Sequence, residues 1–571
     1  MILDLNFQMK KFLIGIFVTA MPILGKAQDS QDKSSRDNLL NVQIDKKWLL
    51  LPVKNGEERK KMVLRDGDKQ LRSFDIELTD QDPDWYAYLD VSAWRGKTLS
   101  LDVHTGTDMS RALSLIKQSD KEIDKKTLYR EKNRARFHFS PKRGWNNDPN
   151  GLVYYNGEYH LFFQHNPYGT EWGNMHWGHA VSKDLVHWRE IGEALYPDSY
   201  GTMFSGSAVV DKNNTSGMGD GSDPPMVLFY TAEGSWVQGL AYSTDGRKFK
   251  KAETPVVPKI TDGNRDPKVI WHEPSQKWVM VLYVELEGKQ HSMYFLTSSN
   301  LKDWETTDVV KGGTDSDTYL FECPEFYELQ VEGKPGVKKW ILTGANSEYA
   351  IGTFDGEKFT PESERLNGQH GRDFYAAQTF NNEPKGRRIE MGWWRTKTTG
   401  HGNNFNQSMS IPMEIKLLET EEGLKIARQP VEELKKLRKK HHVFENRQLR
   451  DGESFLLKKI KDDFLEIHTR FSSITSEQII FSIKGVDVIY NVKDETLSID
   501  GVDMHLPLTN NQLELTLYVD RTGIELFANK GVYFMPVNIN VDSNNKDIGI
   551  KVKGGSLRTE SEVYQLRSIW R

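Results

Sequence analysis

The sequence contains a single cysteine, Cys323, among its 571 residues. One thiol closes no internal disulfide and cannot supply the several thiolates of a zinc or iron–sulfur site. A basic excess is also missing. Lys and Arg number 76 against 81 Asp and Glu, a net charge of −5, which leaves no electrostatic footprint for nucleic acid. Past Leu24 no stretch is apolar enough to cross a bilayer as a helix. The one apolar run, Phe12 to Leu24, follows Lys10-Lys11 and ends in Gly25-Lys26-Ala27. It is short for a membrane span, and small residues at Gly25 and Ala27 suit signal-peptidase cleavage after Ala27. Residues 1–27 therefore read as a signal peptide, with Met9 an alternative start. The expected location is outside the cytoplasm, periplasmic or secreted. With no cysteine near the cleavage site, lipid anchoring is not expected.

Aromatic residues are abundant, with 15 Trp, 21 Tyr and 26 Phe. They can fill cores or offer flat surfaces to sugars, and composition does not separate the two. A chain this long exceeds one core and suggests roughly two to four domains. Asp29 to Asp37 is a polar leader. Residues 38–126 carry short strand patterns: Leu99, Leu101 and Val103 alternate with Ser100 and Asp102, and Trp85 to Leu89 is rich in strand formers. A small N-terminal domain resembling a β-sandwich is expected there, with charged Ser119 to Asn133 as a linker.

An internal repeat follows. Ser182-x-Asp184 with Trp188 has the same form as Ser243-x-Asp245 with Phe249 and Ser298-x-Asn300 with Trp304, and more loosely Thr353-x-Asp355 with Phe359. The copies lie 61, 55 and 55 residues apart, each after an apolar run. All-strand repeats of this length match one four-stranded propeller blade. Residues 135–417 hold room for five, which explains the recurrence better than one long sandwich. Pro430 to Leu437 reads as a short helix with proline in its first turn. Strand patterns resume from Glu445, so 430–571 is expected to be a C-terminal β-sandwich domain. The fold class is all-β.

Three carboxylates stand in unusual surroundings. Asp148 lies in Trp145-Asn146-Asn147-Asp148-Pro149-Asn150-Gly151, read as a turn at the lip of a hairpin. Asp266 lies in Arg265-Asp266-Pro267, and Glu322 in Glu322-Cys323-Pro324. Any one alone would pass for a structural carboxylate. Propeller blades bring strand ends to one mouth, and three acids there suit glycoside cleavage by a nucleophile, a proton donor and a third group gripping the sugar. His165, His176 and His179 fit no common zinc spacing and read as strand and loop histidines. No metal or cofactor is expected. Cys323 could touch the sugar or be a buried structural thiol.

These motifs, in this order, resemble the hallmarks of glycoside hydrolase family 32, the invertases, inulinases and levanases. Phe163 to Pro167, Phe204 to Ser207, Asp373 to Ala376, and Val519 to Arg521 with Ile524 to Phe527 extend the resemblance over roughly 135–571. The N-terminal domain lies outside that core and is similar to the extra β-domain of some exported Bacteroidetes-type fructanases. The resemblance implies a five-bladed propeller with a C-terminal sandwich, and hydrolysis of β-fructofuranosyl linkages with retained configuration. Asp148 would be the nucleophile, Glu322 the acid and then base, and Asp266 the residue holding two fructose hydroxyls. Arg265 would orient the carboxylates. Asn147, Gln164, Trp172, Phe204, Ser205, Asp373 and Trp393 would line the fructose subsite. The expected substrate is levan, inulin or sucrose, attacked from chain ends with release of fructose. A fructosyltransferase or an endo-acting fructanase on the same scaffold is the alternative. An inverting arabinan-type hydrolase lacks the Asp148 motif, and three intact acids argue against a retired sugar-binding scaffold. Linkage preference, oligomeric state and the role of the N-terminal domain are not legible.

Overall fold

The computed structural model describes residues 38–570 apart from 222, 397, 399–402, 459, 461, 462, 543 and 546. The expected signal peptide and polar leader lie outside the described residues. Everything described is strand and loop apart from one five-residue α-helix, Ser110–Ser114, and short 3-10 turns. The N-terminal region packs two sheets face to face. One orders Leu39–Gln43, Thr98–His104, Lys60–Asp66 and Lys69–Ile76, and the other Trp85–Asp90, Trp48–Val53 and Lys117–Ser119. Their alternating apolar residues, among them Leu49, Leu51, Met62, Leu99 and Leu101, make one core. Ser119 to Asn133 is less a linker than a strap. Glu122 accepts from Lys142 Nζ at 3.0 Å and Asp124 from Arg143 Nε at 2.7 Å, and Leu128 is buried.

Five antiparallel sheets follow in succession, led by Gly144–Tyr155, Gly201–Val210, Arg265–His272, Glu325–Gln330 and Phe374–Thr379. Each leading strand packs against the next, and the fifth returns to the first. Phe405–Asn406, from the end of the series, pairs in parallel with Gly144 and Trp145 at its start. Side chains tie the ring across its axis. Ser207 Oγ donates to Pro267 O (2.8 Å), Gln378 Nε2 to Gly206 O (2.8 Å), and Thr379 Oγ1 to Glu325 Oε2 (2.6 Å). Lys268 Nζ lies 2.5 Å from Glu325 Oε1, so this buried charge is paired. The fifth sheet takes in Met413–Thr420 and Gly423–Pro430, ending at Pro430 rather than Leu417.

The repeat seen in the sequence is one turn used again and again, between the third and fourth strands of a sheet. Asp184 Oδ1 accepts from the N–H of Val186 and His187, while Trp188 Nε1 donates to Leu185 O at 2.9 Å. Asn300 and Trp304 repeat those bonds, and Asp245 and Asp355 repeat the carboxylate part. An Asx side chain closes such a turn locally, which is why its spacing survives in the sequence.

The expected helix at Pro430 is corrected. Pro430 ends a strand, and Glu432–Leu437 is a single 3-10 segment that buries Leu434 and Leu437. Beyond it two six-stranded sheets, one led by Arg438–Arg450 and Ser556–Leu566, enclose a core that includes Ile467, Phe481, Leu515 and Ile550. The architecture is all-β, with blade-like sheets followed by a sandwich.

Candidate active site

The Asp148 motif is a strand and not the expected turn. Gly144–Tyr155 runs unbroken through it, with register shifts at Asn146/Pro149 and Asn150/Val153. Turn residues and bulge residues are the same types, because both positions need a missing N–H or a positive φ. Pro149 has no N–H to give to a neighbour. Gly151 has φ +53°, and a Cβ there would stand 2.9 Å from the Phe162 ring. The hairpin after it turns on Asn156 (φ 45°) and Gly157 (φ 83°), a two-residue left-handed pair.

Similar irregularities recur at one end of the other leading strands. The second breaks register between Met203 and Gly206, the third between Arg265 and Lys268, and the fifth between Tyr375 and Gln378. The fourth is preceded by Glu322 (φ 53°) and Cys323 (φ 38°), and Asp266 itself has φ 65°. Left-handed carboxylate residues are costly, and they persist where surrounding structure fixes them at a site. The bulges turn side chains from different sheets toward a common centre.

That centre holds the three acids. Asp148 Oδ2 accepts from Ser205 Oγ at 2.7 Å. Asp266 Oδ2 accepts from the Cys323 N–H at 3.0 Å, and the Asp266 N–H donates to Thr231 Oγ1 at 2.9 Å. Cys323 Sγ lies 3.7 Å from Asp148 Oδ2 and 3.4 Å from Asp266 Oδ2, which places both carboxylates about one thiol. The thiol is buried, and burial with those neighbouring charges raises its pKa well above the ordinary value. It is a protonated donor, unsuited to nucleophilic work. Glu322 is held at both oxygens: Arg265 Nη2 donates to Oε1 at 2.7 Å and Tyr375 Oη to Oε2 at 2.7 Å.

Crowding of negative charge shows in the titration. Burial raises the Asp148 pKa and Glu322 adds to the rise, while the bonds from Ser205 and Asn147 and the charge of Arg395 oppose it. Asp266 is pushed up to about 7, first by burial, with Arg265 pulling down and Glu322 and Asp148 pushing up.

The remaining expected residues gather around this centre. Asn147 is buried and accepts from Trp145 Nε1 at 2.9 Å. Asn150, in the amide orientation that suits its neighbours, accepts from Gln164 Nε2 at 2.9 Å and donates to Ser205 Oγ at 3.3 Å. Phe204 meets Trp172 edge-on with ring centroids 6.2 Å apart, and Trp172 is 51% exposed. Trp393 packs edge-on to Trp145 and Tyr375. Asp373 accepts from the Asn538 N–H at 3.1 Å, so the sandwich reaches the site's edge. Tyr375 and Arg395 also belong to this centre, without a sequence motif that names them. Tyr375 stood inside the Asp373 to Ala376 stretch, whereas Arg395, 4.2 Å over the Tyr375 ring, had no local signal.

His165 is bonded to Glu193 and Arg143 O, His176 to Asn174 O, and His179 to His160. Among the described residues no group of three or more His, Cys, Asp or Glu could hold a metal ion.

Three converging carboxylates on an all-β scaffold are the equipment of a glycosidase. The chain belongs to glycosyl hydrolases family 32, whose N-terminal-domain model matches residues 138–430. Residues 34–140 match a separate family described as a domain of unknown function (DUF4980). The levanase of Bacillus subtilis is 37% identical over 78% of this chain and 72% of its own length. The extracellular exo-inulinase of Aspergillus niger is 30% identical over 77% of this chain and 96% of its own. The crystal structure of exo-inulinase from Aspergillus awamori superposes with a TM-score of 0.69 at 28% identity, covering 77% of this chain and 100% of that one.

Proposed function

We propose that this chain is an exported, retaining β-fructofuranosidase that removes fructose from the ends of levan, inulin and sucrose. The five successive sheets are read as the five blades of a closed propeller spanning 135–430. A β-sandwich at 38–126 precedes it and another, 438–571, follows. Relatives named levanase and exo-inulinase support the substrate and the exo action. Export rests on the Lys10 to Ala27 pattern and on the relative named extracellular. No helix among the described residues is long and apolar enough to cross a membrane.

The observation that carries the mechanism is the unequal tethering of the acids. Asp148, with Ser205 on one oxygen, is the nucleophile for the anomeric carbon. Glu322, clamped by Arg265 and Tyr375, delivers a proton to the departing oxygen and then takes one from water. Asp266, fixed through the Cys323 N–H and Thr231, holds two sugar hydroxyls, and its charge stabilises the cationic transition state. Asn147, Gln164, Ser205, Trp172, Phe204, Asp373 and Trp393 close the subsite around one fructose. No cofactor enters the reaction. Time-resolved chromatography of levan, inulin and sucrose digests tests this. Free fructose is the expected first product from each fructan, with glucose alongside it from sucrose. An early ladder of oligosaccharides overturns exo action, and no cleavage of any fructoside overturns the whole reading.

A further inference from the structure

The N-terminal domain matches a family of unknown function, yet it grips the loop that carries Trp172. Tyr168, from that loop, enters the N-terminal domain's hydrophobic core and stacks on Phe74 with ring centroids 3.8 Å apart. Asn174 closes the other end of the loop. Its Oδ1 accepts from the Asp75 N–H at 2.8 Å and its Nδ2 donates to Asp75 O at 2.7 Å. Asn55 Nδ2 donates to Asn403 O at 2.7 Å, which fixes a second propeller loop downstream of Trp393. Between these anchors, Arg59 Nη1 donates to Trp172 O at 3.2 Å and packs over Gly173.

Arg59 is exposed, and among the described residues no carboxylate lies within ion-pair distance of it. Glu77 and Glu171 stand near enough to feel its charge, and burial raises both their pKa values. A planar guanidinium with N–H groups to spare, two carboxylates and a half-exposed indole make the donor, acceptor and stacking set that a sugar ring requires. The indole leads back through Phe204 and Ser205 to Asp148.

We propose that the N-terminal domain and the catalytic domain share a second sugar subsite at the rim of the active site, walled by Trp172 and lined by Arg59, Glu77 and Glu171. It binds the unit of a fructan next to the one that is cleaved. The assignment rests on the reading of Asp148 and Glu322 as fructosidase acids, and the test separates the two.

Binding is measured by calorimetry in an Asp148→Asn background, which leaves the sugar intact. The probes are fructose and the trisaccharide 1-kestose. Adding Arg59→Ala or, separately, Glu171→Gln should weaken 1-kestose by about tenfold, the loss of one charge-assisted hydrogen bond, and leave fructose within about twofold. Both residues are exposed, and unchanged melting temperatures certify the fold. Equal weakening of fructose and 1-kestose would make Arg59 a mere prop for the Trp172 loop and overturn the subsite. Unchanged 1-kestose affinity in both variants overturns it too. If the parent Asp148→Asn binds neither sugar, the fructosidase reading falls first and the subsite with it.

Discussion

In the proposed mechanism Asp148 is the nucleophile and Glu322 the acid, and substitution separates the two roles. Asp148→Asn cannot form the covalent intermediate readily, so turnover should fall by several orders of magnitude whatever the leaving group. Glu322→Ala removes the proton donor. Sucrose cleavage should collapse, while a fructosyl substrate with an acidic leaving group still reacts in its first step and accumulates the adduct. Azide, which needs no base, should restore turnover in Glu322→Ala and not in Asp148→Asn. Equal losses on both leaving groups without azide rescue would reassign the acid. Asp266 supplies a different reading at this scale. Its pKa of about 7, against an ordinary 3.8, means the native state binds a proton more tightly than the unfolded chain. The contribution of Asp266 to native stability should therefore fall as pH rises from about 4 through about 7. Asp266→Asn keeps an oxygen for the Cys323 N–H and removes the charge. It should abolish activity, melt several degrees above the parent at pH 8, and show no gain at pH 4. Calorimetric scans at the two pH values check this. A lower melting temperature at pH 8 would mean that Arg265 outweighs burial.

At the scale of elements, the loop from Asn166 to His176 belongs to two domains at once. Tyr168 fills the N-terminal core while Trp172 meets Phe204 beside the proposed sugar site. Tyr168→Ala should cost about 3–5 kcal/mol of the N-terminal domain's stability, as aromatic truncations in cores do. It should also raise KM more than it lowers kcat, since on the proposed reading the loop binds sugar while none of Asp148, Asp266 and Glu322 sits on it. Paired melting curves and kinetics on sucrose measure both effects, and an unchanged KM would detach the loop from binding. The same elements mark what the sequence made legible. The Ser182, Ser243 and Ser298 turns could be read because every bond in them spans a few residues. The Asp148 strand reads as a turn in the sequence because Pro149, Asn150 and Gly151 suit a bulge for the same reasons. The partners across the sheet, Phe163 opposite Pro149 and Phe162 opposite Asn150, distinguish the two. Of the short helix expected over Pro430 to Leu437, Glu432–Leu437 is helical as a 3-10 segment, while Pro430 is held in the strand by the pairing of Met413–Thr420 with Gly423–Pro430. Arg59 and Arg395 carried no local pattern at all. Their roles exist only through partners more than a hundred residues away in one case and across the fifth sheet in the other.

At the scale of the whole molecule, one buried imidazole sits in the seam with the C-terminal sandwich. His138, just before the first of the five sheets, lies between Asp520 Oδ2 through Nδ1 and Glu525 Oε2 through Nε2, each at 2.9 Å and each from the C-terminal sandwich. Asp520 also accepts the N–H of Arg136, Phe137 and Arg521, so it is the carboxylate that stays ionised, and its pKa is lowered despite burial. Glu525 has fewer donors, and burial raises its pKa. For His138 itself burial is the largest influence and pulls downward. The two carboxylates together overcome it, raising the pKa from 6.5 to about 9. A group raised in the native state contributes fully below its unfolded value and loses that contribution as pH rises through the native one. The parent protein should therefore lose stability between about pH 6.5 and pH 9. His138→Gln removes the charge from between two buried acids, which should cost about 3–5 kcal/mol at pH 6. The variant should also lack the alkaline decline, so the two stability curves converge toward pH 9.5. Denaturant titrations at pH 6 and pH 9.5 measure the gap directly. A gap of equal size at both ends would show that His138 acts by packing against Phe137 and Trp394, and that its charge contributes nothing to the seam.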